Sequence, residues 1–116
     1  MADMIKALRM RPDEAPEQIE IENTLAELQK EVGGYIETLY MGEGVTAIVN
    51  EEGKLEQLRP NCLIRGDLIV GTILLVGVAG EEFCSIPEGY EALWLDALER
   101  ARERALPLIR EWERGI

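Results

Sequence analysis

The stretch LIVGTILLVGVA, residues 68–79, decides the fold. It lies within the longest uncharged run of the chain, the 13 residues from Leu68 to Gly80. Crossing a bilayer takes about 20 apolar residues, so the run is too short for a membrane helix and reads as a buried strand. It is apolar on both faces, with Gly71 and Gly77 as points of bending. That pattern predicts one strand at the centre of a sheet. A central strand needs neighbours, and the flanking sequence supplies them.

Upstream, Gln18-Ile19-Glu20-Ile21-Glu22 alternates cleanly, as a strand does when one face is buried and the other solvated. Met4 to Met10 reads as a strand paired with it. Met4, Lys6, Leu8 and Met10 lie on one side, and Ile5, Ala7 and Arg9 on the other. The polar turn Pro12 to Pro16 closes this hairpin. Thr24 then caps a helix over about 24–32, with Glu27 completing a capping box. Leu25, Leu28 and Val32 form its apolar stripe, and Gly33 ends it. So short a helix is not stable alone in water, so the stripe must pack on the sheet. Tyr35 to Met41 and Val45 to Val49 read as strands joined by Gly42-Glu43-Gly44. Asn50 to Lys54 is a turn. Leu55 to Gly66 is irregular, with Arg59-Pro60-Asn61 expected to be exposed. Phe83-Cys84 reads as a brief strand.

Downstream the period changes. Tyr90, Leu93, Trp94, Ala97, Leu98, Ala101, Ala105, Leu108, Ile109 and Trp112 recur at spacings of three and four, which predicts an amphipathic helix over about 88–114. Pro107 lacks a backbone donor and is expected to kink or interrupt it. The fold class is therefore α+β: a mainly antiparallel sheet of five to six strands, with the short helix and part of the long one on one face. Residues 1–87 form the α+β domain. Residues 88–116 form a helical extension packed on that domain or on a partner.

Composition narrows the function. The chain has 116 residues, 23 acidic and 12 basic side chains, no histidine and a net charge of −11. Without histidine there is no His general base, no Ser-His-Asp or Cys-His arrangement and no His-containing metal site. Cys62 and Cys84 form no CxxC pair and read as reduced, partly buried thiols, with a single disulfide as the alternative. The acidic balance argues against direct binding to nucleic acid or to an anionic membrane. The N-terminal residues lack the apolar stretch of a signal peptide, so the cytoplasm is the expected location. The charge is uneven. Residues 12–58 carry 12 acids and two bases, net −10, whereas residues 1–11 sum to +2 and residues 59–116 to −3.

Together, IEIENTLAELQ (19–29), VGGYIE (32–37), NEEGKL (50–55), Pro60-Asn61, IVGT (69–72), Val76-Gly77 and GEEF (80–83) resemble the uncharacterised family catalogued as domain of unknown function 3846. Its members are small proteins of phages, plasmids and other mobile elements. The resemblance runs from about Met4 to Tyr90 and leaves out the long C-terminal helix. It implies a mobile-element context and an α+β fold, and carries over no catalytic residue.

Five residues are candidate binding groups. Tyr35 follows the paired glycines, where backbone can approach a ligand closely, or where a helix is simply capped. Asn50 and Asn61 flank a loop that could offer amides to a small polar ligand, or serve turns. Trp94 and Trp112 lie on the apolar face of the long helix. They either cover the domain's own sheet or anchor a dimer or partner interface. The carboxylate pairs Glu51-Glu52 and Glu81-Glu82 sit in turns, where water keeps them ionised, so no catalytic dyad, metal or cofactor is assigned. The expected function is that of a non-catalytic interaction or regulatory protein whose acidic face meets a basic partner protein. A homodimer through the C-terminal helix is a further option, and a nucleotide-like ligand-binding module is the alternative.

Overall fold

In the computed structural model, which describes residues 3–115, the chain runs β1 (Met4–Met10), β2 (Glu17–Glu22), α1 (Leu25–Val32), β3 (Ile36–Gly42), β4 (Val45–Asn50), β5 (Pro60–Ile64), β6 (Asp67–Val70), β7 (Ile73–Ala79), β8 (Glu82–Cys84) and α2 (Glu91–Arg114). Met1, Ala2 and Ile116, which fall in the two expected units, lie outside the described residues. Six strands make one antiparallel sheet in the order β2-β1-β7-β4-β3, with β8 paired to β7. β5 and β6 form a separate two-stranded sheet. The chain is α+β, as its patterning predicts.

The central strand is shorter than expected. The stretch 68–79 is two strands in two sheets, divided at Gly71. Gly71 sits at φ +76°, a left-handed conformation that side chains resist. Its N–H donates to the Arg59 carbonyl at 2.8 Å, and a Cβ there would lie 2.8 Å from Leu58 Cδ1. The chain therefore turns out of the large sheet instead of bending within it. Beyond the turn, β7 takes the predicted central place, pairing with β1 through Ile73–Leu75 and with β4 through Leu74–Gly77.

Alternation along the central strands divides the core into two layers. Leu74 and Val76 of β7, Ile48 of β4, and Ile5 and Ala7 of β1 pack with Leu28 and Val32 of α1. Ile73 and Leu75, Val45, Ala47 and Val49, and Leu8 and Met10 face the other way, onto α2 and the β5–β6 hairpin. The two helices thus cover opposite faces of the sheet, not one face as expected. A central strand that is apolar on both sides needs both covers.

Local chemistry accounts for the element ends. Thr24 Oγ1 accepts the Glu27 N–H at 3.2 Å, while the Thr24 N–H goes to the Glu22 carbonyl. The expected capping box is thus made on one side by Thr24 itself. Gly33 closes α1 in the left-handed conformation. Glu43-Gly44 and Arg65-Gly66 have positive φ at both residues, the geometry of tight hairpin turns, and join β3 to β4 and β5 to β6. Helix α2 continues through Pro107 to Arg114, so the proline does not interrupt it. Its buried stripe is Trp94, Leu98, Ala101, Ala105 and Ile109, leaving Leu93, Leu106 and Leu108 exposed. Cys62 and Cys84 are free thiols, buried and half-buried respectively.

The segment expected to be exposed, Arg59-Pro60-Asn61, is mostly interior. Pro60 and Asn61 are fully buried as the start of β5, and Arg59 is half-buried. The reason is polar. Asn61 Nδ2 donates to the Met10 and Gly71 carbonyls at 2.8 and 2.7 Å. Arg102 of α2 donates to Asn61 Oδ1 and to the Asn61 carbonyl, both at 2.6 Å, and also to the carbonyls of Arg11 and Glu14. One buried amide therefore joins β1, β5, the β6–β7 turn and α2.

Candidate functional site

The acidic segment 12–58 spans β2, α1, β3, β4 and the loop that follows. Of its 12 acids, four have basic partners: Asp13 with Arg59, Glu14 with Arg11, Glu17 with Arg9 and Arg11, and Glu31 with Arg9. Those four are bonded within the chain. Arg9, for example, holds Glu17 of β2 at 3.2 Å and Glu31 of α1 at 3.0 Å. The remaining eight, among the described residues, are in no ion pair: Glu20, Glu22, Glu27, Glu37, Glu43, Glu51, Glu52 and Glu56.

Four of the eight border two hollows that meet at Asn50: Glu52 and Glu56 beside the end of α1, and Glu37 and Glu51, with Glu52, in the second. Asn50, at the end of β4, donates from Nδ2 to the Val32 carbonyl at 3.1 Å and to Glu56 Oε1 at 3.0 Å. Its Oδ1 accepts the Glu52 N–H at 2.8 Å, which is the turn chemistry expected of an asparagine. Glu56 N–H bonds the Glu52 carbonyl, making one helical turn that carries both carboxylates. The Glu51 N–H bonds the Tyr35 carbonyl at 2.9 Å. Asn50 thereby holds helix end, strand end and loop in one arrangement. Two shallow hollows share Asn50 and Glu52. One, of about 210 Å³, is bordered by Gln29, Gly34, Tyr35 and Glu56. The other, of about 260 Å³, is bordered by Glu37, Glu51, Lys54 and Asp67. Lys54 is paired with Asp67 at 2.6 Å, so the second hollow remains acidic.

Every feature of the first hollow suits a cation. The C-terminus of α1 presents the negative end of its dipole, Glu52 and Glu56 add charge, and Tyr35 stands beside it, 65% exposed. An aromatic face attracts ammonium and guanidinium groups, and carboxylates bond them.

Of the five candidates read from the sequence, the structure brings Tyr35 and Asn50 together here. The other three lie with α2. Asn61 is buried, with its amide engaged as described. Trp94 is in the core layer under α2. Trp112 is half-buried, with the Arg59 guanidinium 5.4 Å from its ring centroid and Arg59 in turn bonded to Asp13 and Glu113. Sequence reading missed Glu52 and Glu56 as partners of Asn50, although their i, i+4 spacing was a signal. It also missed Arg102, for which no pattern exists, because its acceptors are backbone carbonyls distant in sequence.

Burial pushes the Cys62 thiol up to about 12, so it is a protonated core group and not a nucleophile. Among the described residues, no three Cys, Asp or Glu side chains are grouped to hold a metal ion, and no helix is long and apolar enough to cross a membrane. The profile of the family described as Domain of unknown function (DUF3846) matches residues 5–99, and so reaches into α2. No curated protein and no solved structure matches the chain.

Proposed function

From the premise that the chain belongs to the DUF3846 family, we propose that it is a non-catalytic interaction protein of a mobile genetic element, binding a basic protein through its acidic face. The observation that supports this is the grouping of Glu37, Glu51, Glu52 and Glu56, none of them in an ion pair among the described residues, around the two hollows that meet at Asn50. Eight such carboxylates in one segment raise the rate of encounter with a positively charged surface and favour it over others. The hollow beside Tyr35 accepts one Arg or Lys side chain of the partner. The partner is a basic protein of the host or of the element, whose basic surface this face would occupy.

The experiment is capture from host lysate at low and high salt, using the protein and a variant with Glu37, Glu51, Glu52 and Glu56 changed to Gln. A basic protein is expected at low salt, lost at high salt and lost from the variant. Recovery of no basic protein, or equal recovery by the variant, overturns the proposal. A homodimer through α2 would use the exposed Leu93 and Leu108, which lie about 60° apart on the helix, since the buried stripe is engaged by the chain itself. Light scattering of Leu108→Glu against the unaltered protein tests it: an unchanged mass removes this reading.

A further inference from the structure

On the face of the sheet opposite the Tyr35 hollow, a cavity of about 190 Å³ lies beneath the first half of α2. Its body is apolar: Met41 of β3, Leu75 of β7, and Ala97 and Ala101 of α2. The two alanines leave the space that larger residues on that helix face would fill. Its polar groups are Arg65 and Arg104, and the Trp94 ring borders it. Trp94 is 9% exposed, and its indole N–H is buried with no acceptor in the protein. That atom has no contact with solvent, so the Trp94 ring borders the cavity and its N–H does not; Glu91 Oε1, one turn back on the same helix, is likewise buried and without a partner. Arg104 gives one N–H to the Leu63 carbonyl at 3.3 Å and retains its other donors. Arg65 is held by its left-handed backbone in the β5–β6 turn and is in no ion pair among the described residues. Indole and guanidinium are donors only. No carboxylate lines the cavity, in a chain with 23 of them, and Glu91, one turn back on α2, is not part of it.

Two guanidinium groups, no carboxylate side chain and an apolar floor define the complementary ligand. The geometry points to this cavity as a binding site for a small apolar carboxylate, with its carboxylate on Arg65 and Arg104 and its body over Met41, Leu75 and the Trp94 ring. The size agrees. A dry cavity of about 150 Å³ holds a benzene ring, so 190 Å³ takes a ring bearing one carboxylate. A free acid and the C-terminal residue of a peptide share this chemistry. The site is separate from the acidic face and does not depend on it.

The test is NMR of the full chain titrated with benzoate, following the Trp94 indole N–H. The Trp112→Phe variant leaves that signal as the single indole resonance. A saturable shift is expected. Benzamide, the neutral counterpart, is expected to bind about tenfold more weakly, and Arg65→Gln with Arg104→Gln is expected to lower benzoate affinity by about tenfold or more, because charge-assisted bonds are lost. Both arginines are exposed, so the double variant should melt like the parent. If it does not fold, the benzoate–benzamide comparison on the parent decides. A peptide ending in a free Phe carboxylate, and the same peptide amidated, separate the two sources. Tighter binding of the free peptide than of benzoate assigns the site to a peptide terminus, and tighter binding of benzoate assigns it to a free acid. No saturable shift with benzoate or with the free peptide, or equal affinity for benzoate and benzamide, overturns the proposal.

Discussion

Replacing Asn61 tests how the fold is joined. Asn61→Ala removes the donor to two buried carbonyls, Met10 and Gly71, and the acceptor of one Arg102 N–H. Leaving a buried polar group unbonded costs roughly 1–3 kcal/mol. Arg102 is half-exposed, so water replaces part of its loss, whereas the two carbonyls have no such access beside a side chain that is 0% exposed. The sum is about 4 kcal/mol, near the upper end for a single substitution and a large share of a typical domain's stability. Urea unfolding followed by tryptophan fluorescence measures it, since Trp94 and Trp112 both lie on α2. The midpoint is expected to fall with the slope unchanged. Asn61→Asp separates the contributions. It keeps an acceptor for Arg102 but sets carboxylate oxygens against both carbonyls, and is expected to cost at least as much as alanine. Loss of less than about 1 kcal/mol in Asn61→Ala, or tolerance of Asn61→Asp, would refute the assignment of Asn61 as the joint.

A Cβ on Gly77 would lie 2.2 Å from the Ser85 carbonyl oxygen, so Gly77→Ala is expected to destabilise by about 3 kcal/mol, and an unchanged melting temperature contradicts this. Pro107 is an exposed proline inside α2, and Pro107→Ala restores a helix donor; a gain of about 1–3 kcal/mol is expected by thermal melting, and a loss refutes it. Burial raises the Cys62 thiol from 9.0 to about 12. The unfolded thiol ionises first as pH rises, so this contribution to stability is complete below pH 9 and is lost toward pH 12, at about 1.4 kcal/mol per pH unit. Subtracting the unfolding free energy of Cys62→Ala at each pH isolates that slope, and a flat difference refutes it.

The local elements were legible because their signals are local. Alternation in Gln18–Glu22, Thr24 before a helical stripe, Gly33 after it and the three-and-four spacing beyond Tyr90 each specify backbone geometry within a few residues. The candidate site was half legible: Tyr35 and Asn50 were singled out separately, but nothing in the sequence places them at one helix end. Glu52 and Glu56 acquire their meaning from Asn50, and the cavity beneath α2 from residues of β3, β5, β7 and α2 that no short window contains.

By itself, then, the sequence determined the fold class, a mainly antiparallel sheet of five to six strands, both helices, a central strand within residues 68–79 and the segment that carries the excess charge. Tertiary structure alone decided that Leu68–Val70 leaves that sheet, that the helices take opposite faces and that Arg59-Pro60-Asn61 turns inward. The physical reason is the same in each case. Periodicity reports that a face is apolar, but not what covers it. A two-sided apolar strand is satisfied by any two covers, and the choice here is made by a left-handed glycine and by polar bonds from Asn61 and Arg102 to carbonyls far away in the chain.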